Sequence, residues 1–328
     1  MQDKLLRNIN YIRVSITDRC NLRCRYCMPE QGVESLSHGE ILSFEEILRL
    51  ARILGELGIR RYKITGGEPL VRRGCPELIG RLKALPDIEQ VTITTNGLLL
   101  KEQLPRLKAA GLDAANISLD TLDADKYRYI TRGGELARVL EGVEAALDAA
   151  IPKVKINCVP QQGFNEDELT DLALLAKDRP LSVRFIEMMP IGEGCGYAPV
   201  SGDRLLERLT GAFGPLEQVC ANNLGNGPAV YYRPAGFLGL LGLINAVSHA
   251  FCERCNRLRL TADGFLKLCL YYHDGLDLKT LLRSGATDRE ISAAIRRSVA
   301  EKPLGHHFGE RQPLDKRLEA GRMSDFGG

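Results

Sequence analysis

A chain of 328 residues carrying 44 Lys and Arg against 42 Asp and Glu, a formal net charge of +2, lacks the cationic excess of a bulk nucleic-acid binder. No run approaches the ~18 apolar residues of a membrane-spanning helix, and the N-terminus shows no apolar leader. With 44% hydrophobic residues there is core for one large domain or two ordinary ones, and the expectation is an enzyme of the cytoplasm that binds neither nucleic acid nor membrane.

The first strand-like run, residues 11–17, leads into Cys20-Asn21-Leu22-Arg23-Cys24-Arg25-Tyr26-Cys27, three thiols at C-x3-C-x2-C spacing. A cubane [4Fe-4S] cluster normally takes four thiolates, so three leave one iron with an open position where a small molecule binds and reacts. An amphipathic stretch follows, opened by the capping-box pair Ser43 and Glu46 and closed by Gly58. Further strand-like runs fall at 61–65, 91–95, 115–119, 154–159 and 183–187, with helical patterns such as 135–149 and 166–176 between them. This alternation predicts parallel strands joined by right-handed crossovers. One alternating face of the strands is polar: Arg13, Ser15 and Thr17; Lys63 and Thr65; Thr92 and Thr94; Asn116 and Ser118; Lys155 and Asn157. A closed eight-stranded barrel has a packed aliphatic lumen, so the expected fold class is α/β, an incomplete (β/α)6-type barrel housing polar ligands. Arg13, Lys63 and Lys155, in matching phase on three strands, predict a site for an anion.

Past about residue 190 a turn-rich segment (Gly192, Gly194, Gly196, Pro199) gives way to a helical pattern at 203–209, an irregular Gly and Asn stretch at 222–227, and a second trio, Cys252, Cys255 and Cys269. The expected organisation is a partial barrel over 1–190 and a smaller C-terminal domain over 191–328. Two readings of the second trio stand side by side: another open cluster, or structural zinc completed by His249 or His273. Arg254, Arg257 and Arg259 form a local basic spot suited to an anion. Cys75, Cys158, Cys195 and Cys220 stand alone and read as small buried residues. C-x2-C spacing in a chain with 10 cysteines points to metal in a reducing compartment rather than to disulfides.

The segment from Thr17 to Pro29, Thr-Asp-Arg-Cys-Asn-Leu-Arg-Cys-Arg-Tyr-Cys-Met-Pro, resembles the N-terminal signature of radical S-adenosylmethionine (SAM) enzymes, specifically the GTP 3',8-cyclase family of molybdenum cofactor biosynthesis. Thr65-Gly66-Gly67-Glu68-Pro69, Thr94-Thr95-Asn96-Gly97, Asn116-Ile117-Ser118-Leu119-Asp120, Val154-Lys155-Ile156-Asn157 and Arg184-Phe185-Ile186-Glu187-Met188-Met189-Pro190 continue the likeness. The stretch Phe251 to Leu260, with Cys269, is similar to the family's second-cluster motif. The run Gly236 to Ile244 departs from it, being richer in glycine and leucine.

The resemblance implies two [4Fe-4S] clusters, one on Cys20, Cys24 and Cys27 that binds SAM, the other on Cys252, Cys255 and Cys269 that binds substrate. It carries Tyr26, Gly67, Ser118 and Met189 over as SAM-binding. Arg13, Lys63, Thr94, Lys155, Arg257, Leu258 and Arg259 are carried over as GTP-binding. Catalytic roles are implied for Arg257, Arg259 and the terminal pair Gly327 and Gly328. The implied reaction converts GTP to (8S)-3',8-cyclo-7,8-dihydroguanosine 5'-triphosphate: a 5'-deoxyadenosyl radical removes the ribose 3' hydrogen and C3' then attacks C8. An electron donor and a downstream cyclic pyranopterin monophosphate synthase are the implied partners, and the chain is expected to be a monomer or homodimer.

Overall fold

The computed structural model describes residues 1–220, 225–308 and 321–326. Strands β1 (Tyr11–Ser15), β2 (Arg61–Thr65), β3 (Gln90–Thr95), β4 (Ala114–Ser118), β5 (Val154–Cys158) and β6 (Leu181–Ile186) pair in chain order, each parallel to the next. Helices α1 (Phe44–Glu56), α2 (Cys75–Lys83), α3 (Leu100–Ala109), α4 (Ala124–Thr131), α5 (Leu136–Asp148) and α6 (Leu169–Leu174) form the crossovers.

Helix α1 begins at its expected capping box. Ser43 Oγ accepts from the Glu46 N–H at 3.1 Å, and Glu46 Oε2 accepts from the Ser43 N–H at 2.7 Å, satisfying donors that a helix start otherwise leaves open. The helix expected at 166–176 is shorter, because its first turn is a 3-10 turn, Glu166–Glu168. There the Glu168 carboxylate accepts from Thr121 Oγ1 at 2.7 Å and from the Leu122 N–H at 2.8 Å, so that turn grips the β4–α4 loop.

The sheet continues past residue 190. To it belong β7 (Glu217–Val219), β8 (Val230–Arg233), β9 (Leu240–Ile244), β10 (Arg257–Leu260), β11 (Phe265–Lys267) and β12 (Gly275–Asp277). Helices α7 (Gly202–Phe213), α8 (Leu278–Arg283) and α9 (Asp288–Ala300) accompany these strands. β9 joins β6 in parallel and β10 joins β1 in parallel. The strand order is therefore β12-β11-β10-β1-β2-β3-β4-β5-β6-β9-β8-β7. Among the described residues its two ends do not pair, so the barrel stays open and the later part of the chain supplies both of its edges. The Gly236 to Ile244 run, unexpected in the sequence, is largely β9. A Cβ on Gly242 would lie 2.9 Å from Arg184 Cγ and 3.0 Å from the Tyr231 ring, so the glycine makes room for a lumen arginine.

Side chains obey the two-residue period of strands. Ile12, Val14, Tyr62, Ile64, Val91, Ile93, Ala115, Ile117, Ile156, Val183, Phe185, Leu258 and Leu260 belong to one continuous core with the helices. The alternate positions form the polar lumen, where the register sets Arg259 beside Arg13, Arg13 beside Lys63, and Asn157 beside Arg184.

Candidate active site

A cavity of about 300 Å³ runs through the lumen of the open barrel, and all six cysteines of the two trios line it. The spacing alone left unsettled how the trios are disposed; because β10 runs parallel to β1, with Tyr11 opposite Arg257, Cys252 and Cys255 lie at the N-terminal end of this strand pair and Cys20, Cys24 and Cys27 beyond its C-terminal end, so the cavity runs between them.

The first cysteine loop is held from outside. The Gly67 N–H donates to Thr17 O at 2.8 Å, the Glu68 N–H to Arg19 O at 2.8 Å, the Arg23 N–H to Thr131 O at 3.1 Å and the Arg25 N–H to Ile130 O at 2.9 Å. Arg132 Nη1 donates to the carbonyls of Arg23 and Met28 at 3.0 and 2.9 Å. Gly67 lines the cavity, but the atoms that exclude a side chain there belong to the protein: a Cβ would sit 2.3 Å from Arg19 O and 2.7 Å from Asp18 O. Its small size serves the seating of the cysteine loop. Gly67→Ala is accordingly expected to displace that backbone at a cost of about 1–3 kcal/mol and to lower iron retention at the first trio. Thermal unfolding and iron analysis check this, and an unchanged Tm with full iron would contradict it.

Burial raises the thiol of Cys20, pushes Cys24 well up and carries Cys27 up to about 12, with mutual repulsion among the three thiols adding to the effect on Cys24 and Cys27. Such a trio becomes thiolate when metal displaces its protons. The Leu22 N–H donates to Cys20 Sγ at 3.4 Å, ready to stabilise a thiolate. Among the described residues no three His, Cys, Asp or Glu converge as ligands of one metal ion. His249 Nε2 instead faces Asp203 at 3.1 Å, and His273 stacks on Phe265.

Tyr26, Ser118 and Met189 line the cavity with Gly67. The Tyr26 hydroxyl donates to Asp120 Oδ2 at 2.7 Å, and Asp120 Oδ1 accepts from the Val159 N–H at 2.8 Å. Burial raises Asp120 to about 6, with those two donors opposing the rise. Glu68, only 1% exposed, also lines the cavity. It accepts from the Asn96 N–H at 2.6 Å, Thr95 Oγ1 at 2.7 Å and the Leu70 N–H at 3.1 Å, yet burial outweighs these donors and raises its carboxyl to about 7.

The second trio has a different surrounding. Burial raises Cys252, whereas at Cys255 burial acts upward and is overcome by Lys302, Arg257 and hydrogen bonds from Arg257, which bring the thiol down to about 7.

Between the trios the lumen is cationic. Arg13, Lys63, Thr94, Arg184, Arg257 and Arg259 line the main cavity. Lys155 lies beneath it, in a second pocket of about 40 Å³ that shares Lys63 and Arg184. Leu258 is not brought in: its side chain is fully buried on the opposite face of β10, within the core, as the two-residue period requires between two inward arginines. Burial, then the neighbouring cations, lower Lys63 far below an ordinary lysine and Lys155 to about 7. Arg184, which the sequence analysis placed in a strand without singling out its side chain, donates through Nη2 to Asn116 Oδ1 and Asn157 Oδ1, both at 2.6 Å. Its Nε is buried without a hydrogen-bond partner among the described residues. It occupies the same strand phase as Lys63 and Lys155, and that phase is the signal that finds it.

Gly327 and Gly328 lie outside the described residues, as do 221–224 of the Gly and Asn stretch. The last described turn, Met323–Phe326, reaches the cavity through Met323. Arg259 Nη1 donates to Phe326 O at 3.0 Å, and Lys267 Nζ stands 4.4 Å from the centre of the Phe326 ring.

An open parallel barrel with a C-x3-C-x2-C loop after its first strand defines a radical SAM protein, and the Radical SAM superfamily matches residues 14–176. Molybdenum Cofactor Synthesis C matches residues 181–308. The chain is 49% identical over 331 residues to the GTP 3',8-cyclase of Pelotomaculum thermopropionicum and 49% identical over 332 residues to that of Moorella thermoacetica, covering 100% of each chain in both cases. It belongs to the GTP 3',8-cyclase family. The crystal structure of Streptococcus suis SuiB bound to S-adenosylmethionine shares the fold at 17% identity, with a TM-score of 0.56 over 91% of this chain and 65% of that one. Among the described residues no helix is long and apolar enough to cross a membrane.

Proposed function

We propose that this chain converts GTP to (8S)-3',8-cyclo-7,8-dihydroguanosine 5'-triphosphate, the first step of molybdenum cofactor biosynthesis. One observation carries the reading beyond the names of its relatives: a polar lumen in which Arg13, Lys63, Arg184 and Arg259 are packed so closely that several depress one another's basicity. Cations gathered against their own repulsion and desolvation require a polyanion, and a nucleoside triphosphate supplies one.

Cys20, Cys24 and Cys27 would hold the SAM cluster, and Cys252, Cys255 and Cys269 a second cluster at the substrate. The cofactors, when bound, supply the radical chemistry. The protein's own residues bind, orient and exclude water. Arg13, Lys63, Lys155 and Arg184 neutralise the triphosphate; Thr94 lies on the side of the first trio, two residues before the Asn96 that faces Cys20, and Arg257 and Arg259 lie on the side of the second. Leu258 contributes only backbone. Tyr26, steered by Asp120, forms the SAM wall with Gly67, Ser118 and Met189. The turn Met323–Phe326, held at Phe326 by Arg259 and Lys267, lines the cavity through Met323, and we assign a catalytic part to Gly327 and Gly328 on the resemblance. We assign residues 1–190 to the radical SAM barrel, which also lends its lumen cations to the substrate, and 191–328 to the second cluster and its share of the GTP site. An electron donor and an enzyme consuming the cyclised nucleotide complete the scheme, in a reducing cytoplasm that suits thiolate ligands.

Glu68 offers a buried carboxylate to the ammonium of SAM. Because its carboxyl titrates at about 7 in the ligand-free protein, it is charged above that pH and neutral below. SAM affinity is therefore expected to fall as pH drops from 8 to 6, approaching about tenfold per unit below 7. Glu68→Gln should bind weakly with a flat profile. Anaerobic equilibrium dialysis checks both, and a wild type insensitive to pH would remove Glu68 from this role.

The function itself is tested by anaerobic incubation of the reconstituted protein with SAM, GTP and a strong reductant, with mass spectrometry of the products. 5'-Deoxyadenosine and cyclised GTP together are expected. 5'-Deoxyadenosine alone would keep the radical chemistry and move the substrate elsewhere; neither product, with iron intact, would leave a non-catalytic metal protein.

A further inference from the structure

Two cations outside the second cysteine motif in sequence, Arg7 and Lys302, are buried behind that trio, each 6% exposed. Arg7 Nε donates to Asp3 Oδ2 at 2.6 Å. Its Nη1 donates to the carbonyls of Cys252 and Leu304 at 2.9 and 3.1 Å, and its Nη2 to those of Lys302 and Pro303 at 3.2 and 2.8 Å. The guanidinium thus uses its whole donor fork. Asp3 is fixed in turn, since its Oδ1 accepts from the N–H groups of Leu5 and Arg7 at 3.0 and 2.9 Å. Lys302 Nζ donates to Arg257 O at 3.0 Å and also to Leu268 O. These carbonyls lie just past Cys255 and directly before Cys269. Backbone at or beside each of the three cysteines is therefore held by one of two buried cations, and Arg7 anchors the carbonyl of the other.

The two differ in charge. Arg7 is neutralised by Asp3, whereas Lys302 Nζ meets carbonyls and, among the described residues, no carboxylate. A buried ammonium without a counter-ion is unfavourable, and a set of thiolates is the anion within its reach. A nearby positive charge also stabilises the more negative, reduced form of an iron–sulfur cluster.

We propose that Arg7 and Lys302 are positioning residues of the second iron–sulfur site: Arg7 fixes the backbone of Cys252 and of Lys302, and Lys302 holds the backbone beside Cys255 and Cys269 and sets the potential of the cluster. The proposal rests on the two-cluster reading above. In anaerobically reconstituted full-length protein, Arg7→Lys keeps the pair with Asp3 but cannot span four carbonyls, and its iron content is expected to fall to about half that of the wild type. Lys302→Met should keep its iron. At a fixed ambient potential, however, the reduced-to-oxidised ratio of one cluster should fall about tenfold, equivalent to about 59 mV for one electron, and Lys302→Arg should restore it. Iron analysis and redox titration followed by electron paramagnetic resonance read these outcomes. Should Arg7→Lys fail to fold, the Lys302 pair carries the test. Wild-type protein holding only one cluster would overturn the two-cluster reading and this proposal with it. Wild type holding two, with iron and potentials unmoved in the variants, would overturn the proposal alone.

Discussion

Arg184→Met is expected to lower kcat/KM for GTP about a hundredfold or more while leaving the fold as stable as before, or more so. The two halves of this expectation have one cause. Arg184 is buried near Arg13, Lys63 and Lys155 and, among the described residues, donates to neutral side chains only, so without a ligand its charge opposes folding. Methionine keeps the stem and removes the repulsion. With GTP present the same charge meets phosphate, where hydrogen bonds between ions contribute about 1.5–3 kcal/mol each, and two of them account for the loss. Thermal unfolding without GTP and kinetics with it separate the terms. A variant that lost stability and kept its KM would show that Arg184 braces the lumen and does not bind the triphosphate. Lysine is not expected to rescue, since one ammonium cannot hold Asn116 and Asn157 and still present a planar fork.

Cys24→Ser and Cys269→Ser are expected to fail in different ways. In Cys24→Ser the SAM site loses a ligand, and both 5'-deoxyadenosine and cyclised GTP should fall to the background of reductant without enzyme. In Cys269→Ser the first trio is untouched. Cleavage of SAM should continue while conversion of GTP is lost, so 5'-deoxyadenosine forms without its nucleotide partner. Quantifying both products in one incubation makes the comparison. If Cys269→Ser still cyclised GTP at the wild-type rate, the second trio would be a structural feature beside the site.

Much of this was legible in the sequence because strand and helix periods are local. Arg61–Thr65 was read to the residue, and the other strands of the first half lie within about two residues of their expected ends. The polar lumen followed from the same period, and it leads to Arg184 by phase. Three features needed the fold. β9 is glycine- and leucine-rich because it is buried between β6 and β8, and buried strands show no alternation to read. The reason for Gly67 lies in the backbone of Arg19, a contact across strands. Arg7 and Lys302 are separated by nearly the whole chain, and nothing local distinguishes them from solvated cations.

The pairing of Tyr11 with Arg257 across the β1–β10 edge also dictates an order of events during synthesis. β1 is the first strand to leave the ribosome, yet one of its edges waits for a partner near the other end of the chain, leaving an open ladder through most of translation. The backbone partners of the first cysteine loop, Gly67, Ile130, Thr131 and Arg132, are all made early. The loop of Cys252 depends on residues 7 and 302 together. A nascent chain can therefore shape its first metal pocket long before release, whereas the second must mature afterwards.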